Sequence, residues 1–345
     1  MATTTLTDGS GRRALAICAA ALALVPLVAG PYFVAVMVDV GLYSMVTLGL
    51  VLLMGFAGQV SLGQGVFFGL GAYGYGILTT QYGASPWAAL LVAAAVTGAV
   101  AAGIGRAVLR LRGLIIAGVT LTVNLIFYYL CVNVSDLTGG ATGMALIPRL
   151  PSGELMSHSL FTYYLVWAAA VLLLMFSLNL VKSRVGRALR AMNALSGGSE
   201  DTAQVLGVNI MKYKVEVFTV AAVYAGIAGG IYAQYTSCIE PGAFGVQFSV
   251  LVAIMAIVGG LTSPWGGFLG AGLMVGLTQF LREVMPVVVG GPTGAYELVA
   301  YGVILVATLL FMPQGLVSIC GKVERRARML VTGRRSREAG ERSGA

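Results

Sequence analysis

The sequence predicts an all-α, polytopic integral membrane protein of about ten transmembrane helices, interrupted by two Gly-rich broken segments. Three observations carry that expectation: the composition, the spacing of charge-free stretches, and the placement of Lys and Arg. Of 345 residues, 58% are hydrophobic and only 10% are charged, and the mean hydropathy is +0.90. An ordinary globular domain is about a quarter charged, so the apolar excess has to face lipid. The same composition excludes a soluble enzyme, a nucleic-acid binder, a disulfide scaffold and a disordered chain, each of which needs polar surface missing here.

A charge at the bilayer centre costs about 3 kcal/mol or more, so stretches without Asp, Glu, Lys or Arg mark candidate spans. Seven are long enough, covering 14–38, 40–105, 113–135, 155–181, 217–239, 241–281 and 298–321. The second holds three spans and the sixth two short ones. Spans are therefore placed near 14–30, 36–56, 66–80, 86–105, 113–134, 161–181, 214–235, 247–259, 267–281 and 296–313.

Orientation follows from the retention of basic connections on the cytoplasmic side. With Arg12 and Arg13 inside, ten alternating spans also put inside the Arg106, Arg110 and Arg112 connection, the 182–214 connection and the carboxyl tail. Of 21 basic residues only Arg149 and Arg282 then fall outside. The chain divides accordingly into a cytoplasmic segment 1–13, a transmembrane domain 14–313 and a basic cytoplasmic tail 314–345. An external loop, 135–160, and a cytoplasmic loop, 182–213, interrupt the transmembrane domain. The first stretch imitates a signal peptide, but its removal would break the charge parity, so it is read as an uncleaved span. The protein is expected in the inner (plasma) membrane, with both termini cytoplasmic and the tail positioned to touch anionic lipid.

The broken segments read GQVSLGQG, 58–65, and GGLTSPWG, 259–266. Shifted by 201 positions, Gly58, Gly65, Phe67, Gly69 and Gly71 fall on Gly259, Gly266, Phe268, Gly270 and Gly272, and Ser61 falls on Thr262, the pattern of an internal repeat. Backbone that leaves the helix at membrane depth is tolerated only inside protein or beside a wet cavity. Paired Gly-interrupted segments therefore point to a transport site. Close helix packing through small residues, as in GLGAYGYG at 69–76, is the alternative, and the relative direction of the two copies stays open.

The cytoplasmic loop carries two helical stretches. Val185, Ala188, Leu189 and Met192 share one helical face, with Arg187 and Arg190 off it, and Gly197 and Gly198 end the stretch. A second helix is expected from Ser199 as N-cap, with Glu200 and Asp201 in its first turn and Gly207 at its end. Helices this short are unstable alone, so the loop is expected to dock on something.

Other residue types bear on the energy source. No GxxxxGK[ST] occurs, and Gly321-Lys322 runs into Val323, so the chain offers no cradle for ATP. Asp39, Glu216, Glu240 and Glu297 all fall near predicted span ends, which leaves an ion-coupling path little support and makes a separate ATPase the better source of work. Cys18, Cys131, Cys238 and Cys320 read as apolar filler, and His158 as a loop histidine without catalytic partners. No enzyme chemistry, metal or cofactor site is expected. Thr120, Thr122 and Asn124 read as helix–helix glue, and Tyr128 and Tyr129 as interface or packing residues.

Five blocks in order resemble the inner-membrane permease subunits of branched-chain amino-acid ABC importers, of the LivM type more than the LivH type. They are GFAGQVSLGQGVFFGLGAYG at 55–74; LRGLIIAGVTLTVN with LTGGATGM between 111 and 144; SRVGRALRA at 183–191 with LGVN at 206–209; YKVEVFTVAAVYAGIAGGIYA at 213–233; and GGLTSPWGGFLGA at 259–271 with FMPQGL at 311–316. The resemblance covers most of the chain. Asn193 to Ser199 departs from it as a Gly and Ser insertion, and Thr202 and Gln204 stand where Ala and Glu are common. The resemblance implies a LivH-type permease partner, two ATP-binding subunits that hydrolyse ATP, and an external substrate-binding protein. It makes Arg187, Arg190, Glu200, Ala203 and Gly207 the expected coupling element. The translocation path would be flanked by Gln59, Ser61, Gln64, Thr262 and Ser263, whose dipoles can meet a zwitterion. Leu, Ile and Val would need little beyond a smooth apolar path. The alternatives are a permease for urea, a short amide or an aromatic acid, and a stand-alone secondary transporter or channel driven by an ion gradient.

Overall fold

The computed structural model describes residues 30–111, 113, 115–151, 157–192, 200–205 and 207–289, together with scattered positions nearer the termini. The expected first span, most of the last span, the basic tail and the 193–199 insertion lie outside the described residues. Between them, long helices occupy each expected span position. Helix α1, Pro31–Val51, opens with proline at its first position, where the missing N–H has no helical partner to lose. It runs straight into a π turn, Leu52–Phe56. There follow α2, Gln64–Thr80, α3, Pro86–Val108, and α4, Ile115–Asn133. A short α5, Ser135–Thr138, leads through strand β1, Met144–Ala145, to α6, His158–Lys182. The amphipathic α7, Arg184–Met192, and α8, Glu200–Val205, precede the long α9, Ile210–Thr236. Strand β2, Cys238–Ile239, then α10, Val246–Gly259, and α11, Trp265–Val289, complete the order.

Six of these segments are long and apolar enough to cross a membrane: Pro31–Phe56, Pro86–Val108, Ile115–Asn133, His158–Lys182, Ile210–Thr236 and Pro241–Gly259. Of their apolar windows, 78% of the first and 61% of the fifth are buried, against 22% for Ile115–Asn133 and 28% for His158–Lys182. Helices α1 and α9 are thus the centre of the bundle. Leu125, Ile126 and Leu130 of α4 and Leu172, Met175 and Phe176 of α6 point outward. Apolar association gains little inside lipid, so helices meet there through small residues that let backbones approach. Gly49 of α1 packs on the Ala221 backbone of α9, and Gly71 of α2 packs on Gly226 of α9, which in turn abuts Thr97 of α3. Gly259 and Gly270 bring α10 and α11 into backbone contact, and Gly267 sets α11 against Leu48 of α1.

These contacts also set directions. Tyr43 meets Phe248 with ring centroids 5.6 Å apart, and Thr47 lies 3.7 Å from the Met255 sulfur, so α1 and α10 run parallel. Gly267 lies on Leu48 and Gly272 faces Val40, so α11 runs antiparallel to α1. Gly65 lies on Ser249 and Gly69 faces Phe244, so α2 runs antiparallel to α10, and the two helix pairs that flank the broken segments, α1–α2 and α10–α11, run the same way.

Several expectations need correction. The class is all-α apart from one two-residue ladder, in which Met144 pairs with Ile239 and Ala145 with Cys238. That ladder ties the connection between α5 and α6 to the end of α9, aided by a 2.8 Å hydrogen bond from Arg149 Nε to Ser237 Oγ and one of 2.9 Å from the Tyr75 hydroxyl to the Pro148 carbonyl. Asp39 is not at a span end, because α1 starts at Pro31 and places it more than two turns inside, where Arg282 of α11 acts on it electrostatically. Lys214 is not a loop residue but is buried in α9. His158 opens α6 rather than lying in a loop, and Cys238 is exposed rather than apolar filler.

Candidate translocation site

The first break is built by a run of residues that cannot continue a helix. After the π turn, Ala57 N–H still reaches Leu52 O at 3.3 Å and Gln59 N–H reaches Leu53 O at 3.1 Å. Gly58 then turns to φ +66°, a conformation only glycine adopts without strain, and the chain stays outside any helix until α2 begins at Gln64. Seventeen residues of α2 rise about 25 Å, less than the ~30 Å hydrocarbon core, so α2 by itself falls short of a full span.

Backbone donors released at the break need partners, since lipid has none. Neighbouring helices supply them. Leu62 N–H donates to Thr120 Oγ1 of α4 at 3.0 Å, and Gly65 N–H donates to Ser249 Oγ of α10 at 2.8 Å. Asn124 Nδ2 of α4 donates to the same Ser249 oxygen at 2.6 Å. Gly63 N–H lies 3.4 Å from Ser61 Oγ. Thr120 and Asn124 therefore join helices, but they do so by completing the break, while Thr122 is exposed and bonds its own helix at Gly118 O, 3.0 Å away. Sequence reasoning missed Ser249. Its signal was a lone hydroxyl in the apolar run VQFSVLVAIMAIVG.

Ser61, Gln59 and Gln64 are all buried, at 0%, 2% and 1% exposure. Both side-chain amides, oxygen and nitrogen, lack a hydrogen-bond partner among the described residues, as does Asn124 Oδ1. An unpaired buried polar group costs about 1–3 kcal/mol, so the two unpaired glutamine amides beside a helix N-terminus are the candidate polar site. Above them, Phe68 stacks on Phe248 at 4.6 Å and touches Phe244 at 5.7 Å and Tyr232 at 5.4 Å. This aromatic cluster, which sequence reasoning also missed, joins α2, α9, α10 and the turn before it.

The second break is shorter. Gly260 takes φ +111°, and α11 restarts at Trp265 with Gly266 N–H on Ser263 O at 2.9 Å. Thr262 is exposed and Ser263 half-buried, so this pair forms a rim, whereas the first-break trio is enclosed. The two breaks touch: the Gly55 α-carbon of the π turn lies against the Leu261 carbonyl.

On the loop side, α7 buries Gly186, Leu189 and Met192 and packs on α9 and on the π turn. Arg187 is exposed, its Nη1 3.3 Å from Lys182 O, and Arg190 is half-buried. Ala203 of α8 is 1% exposed. Gly207 sits at φ +82°, with Gly207 N–H on Gln204 O and Val208 N–H on Ala203 O, both at 3.0 Å, a Schellman end to α8. Glu200 opens α8. No group of three metal-binding side chains occurs among the described residues.

The family described as the branched-chain amino acid transport system / permease component matches residues 32–309. The chain belongs to this family. It is 29% identical over 300 residues to the high-affinity branched-chain amino acid transport system permease protein LivM of Salmonella typhimurium, covering 80% of this chain and 68% of that protein. The LivM protein of Escherichia coli K12 is similar to the same extent, 29% over 300 residues. The LivH permease protein of Escherichia coli K12 is 29% identical over 196 residues, covering 54% of this chain and 59% of its own length. No solved structure matches the chain. The matched region contains both breaks, the α7–α8 loop and every described transmembrane helix, so this member of the permease family has its enclosed glutamines in the part shared with its relatives.

Proposed function

We propose that the chain is one permease subunit of an ABC importer that moves leucine, isoleucine or valine across the inner membrane, driven by separate ATP-binding subunits. The observation that carries the reading is a continuous line of contact: α7 packs on the π turn, the π turn opens the first break, and its Gly55 touches Leu261 of the second. A push on the α7–α8 loop is delivered to the two places where the helices are already interrupted. Alternating access then amounts to parting the breaks. The N-terminus of α2 and the amides of Gln59 and Gln64 meet the substrate's charged end, and the surrounding apolar and aromatic side chains accept its side chain.

In this reading a LivH-type permease is the partner, two ATPase subunits bind at Arg187, Arg190, Glu200, Ala203 and Gly207, and an external binding protein delivers the solute. The domain has ten spans with both termini cytoplasmic. The segments around 58–65 and 259–266 are copies of one unit, running parallel. The coincidence of helix starts at Gln64 and Trp265 with the 201-residue shift supports that duplication.

The direct test is reconstitution of the permease pair, ATPases and binding protein in vesicles. ATP-dependent leucine uptake is expected, with none from this chain alone under a proton or sodium gradient; gradient-driven uptake by the lone chain would overturn the reading. Gly207→Val should lower ATPase pull-down at least tenfold while membrane insertion is retained, since a non-glycine residue at that backbone angle costs about 1–2 kcal/mol and unwinds the end of α8. Unchanged pull-down would remove the coupling assignment. Single cysteines placed at Ser199 and Thr142 should react with an impermeant reagent from opposite sides of the membrane, and labelling from one side would overturn the span count.

A further inference from the structure

We propose that the basic pocket between the end of α3 and the start of α9 binds the phosphate headgroup of an anionic membrane lipid. The pocket has a volume of about 590 Å³ and is lined by Arg106, Arg110, Asn209, Met211, Lys212 and Glu216, among others. Three cations therefore face one acid. Lys212 and Glu216 lie 4.0 Å apart, with side chains 65% and 42% exposed, so the acid is engaged by its own helix. Arg106 and Arg110 have no ion-pair partner among the described residues. The Asn209 side chain accepts from Lys212 N–H at 3.1 Å, which leaves its NH2 group free to donate.

Position argues for lipid over a soluble anion or an acidic protein segment. Arg106 lies in the last turn of α3, and both Arg106 and Arg110 are exposed. They end an outward-facing row on the same helix, Val92, Val96, Ala99 and Gly103, each exposed and spaced by three or four residues. An acyl chain lying along that row brings its headgroup to the two guanidinium groups, whose planar forks suit a phosphate. Basic pockets between spans at the membrane boundary are suited to such headgroups. The site does not depend on what the protein transports.

The test uses the purified full chain in neutral detergent, exchanged into phosphatidylglycerol or phosphatidylcholine and examined by native mass spectrometry. Phosphatidylglycerol should be retained over phosphatidylcholine at least tenfold. The Arg106→Gln/Arg110→Gln variant should lose that preference, and Arg106→Lys/Arg110→Lys should keep part of it. Where the double glutamine variant fails to fold, Arg110→Gln alone, beyond the helix end, gives the same reading. Retention unchanged in the glutamine variants overturns the proposal. Displacement of the lipid by millimolar inorganic phosphate assigns the pocket to a free anion and also overturns it. Reduced ATPase pull-down by the glutamine variants with unchanged lipid retention would assign the pocket to a protein partner instead.

Discussion

Gly55→Ala is expected to reduce ATP-driven leucine uptake at least tenfold, a factor that corresponds to about 1.4 kcal/mol, while leaving membrane insertion and ATPase association intact. A Cβ at this position would overlap the Leu261 carbonyl oxygen. Both partners are backbone, so neither can rotate away, and overpacking of this kind costs about 1–3 kcal/mol. Relief requires the two breaks to separate, which alters the contact through which the loop acts on the path. Gly276→Ala is the matched control, because nothing lies within 4 Å of its added Cβ and alanine is the better helix former by about 1 kcal/mol. Uptake equal in the two variants would show that the contact between the breaks plays no part in transport.

Ser249→Ala is expected to destabilise the protein by about 2 kcal/mol or more. One hydroxyl oxygen accepts from both Gly65 N–H and Asn124 Nδ2, and its loss leaves two buried donors without an acceptor at about 1–3 kcal/mol each. Thr122→Ala, which removes only an exposed bond to the same helix, should stay within about 0.5 kcal/mol. Thermal unfolding of the two variants in detergent separates these outcomes. A near-neutral Ser249→Ala would mean that the break finds other partners, and the account of how neighbouring helices complete the break would fall.

Much of the architecture was legible from residues alone. Charge-free stretches placed α1 to α4, α6 and α9 to α11 because a span must exclude charge over a fixed thickness. Gly58 and Gly260 punctuate the helices where the chain takes positive φ. Gly207 ended α8 as expected, since its backbone angle is one that a side chain disfavours. Asp39 was misjudged because the start of α1 was read five residues late, and the positive charge of Arg282 that acts on it comes from a helix more than two hundred residues away. Ser249 was missed for a related reason: a hydroxyl in an apolar run carries no local sign of whose N–H it serves.

The sequence by itself determined the solvent, the approximate positions of the helices, the two places where they break and the family, because those follow from composition, local spacing and motif order. Only the tertiary structure decided which polar groups are satisfied. It enclosed Gln59 and Gln64 without partners while leaving Thr262 exposed, although all three stood in equivalent-looking glycine-rich segments. It also brought Gly55 onto Leu261 and set α1 and α10 parallel. Burial and hydrogen bonding across helices depend on which backbones approach closely, and in a bundle joined through glycine contacts that approach is a property of the packed whole.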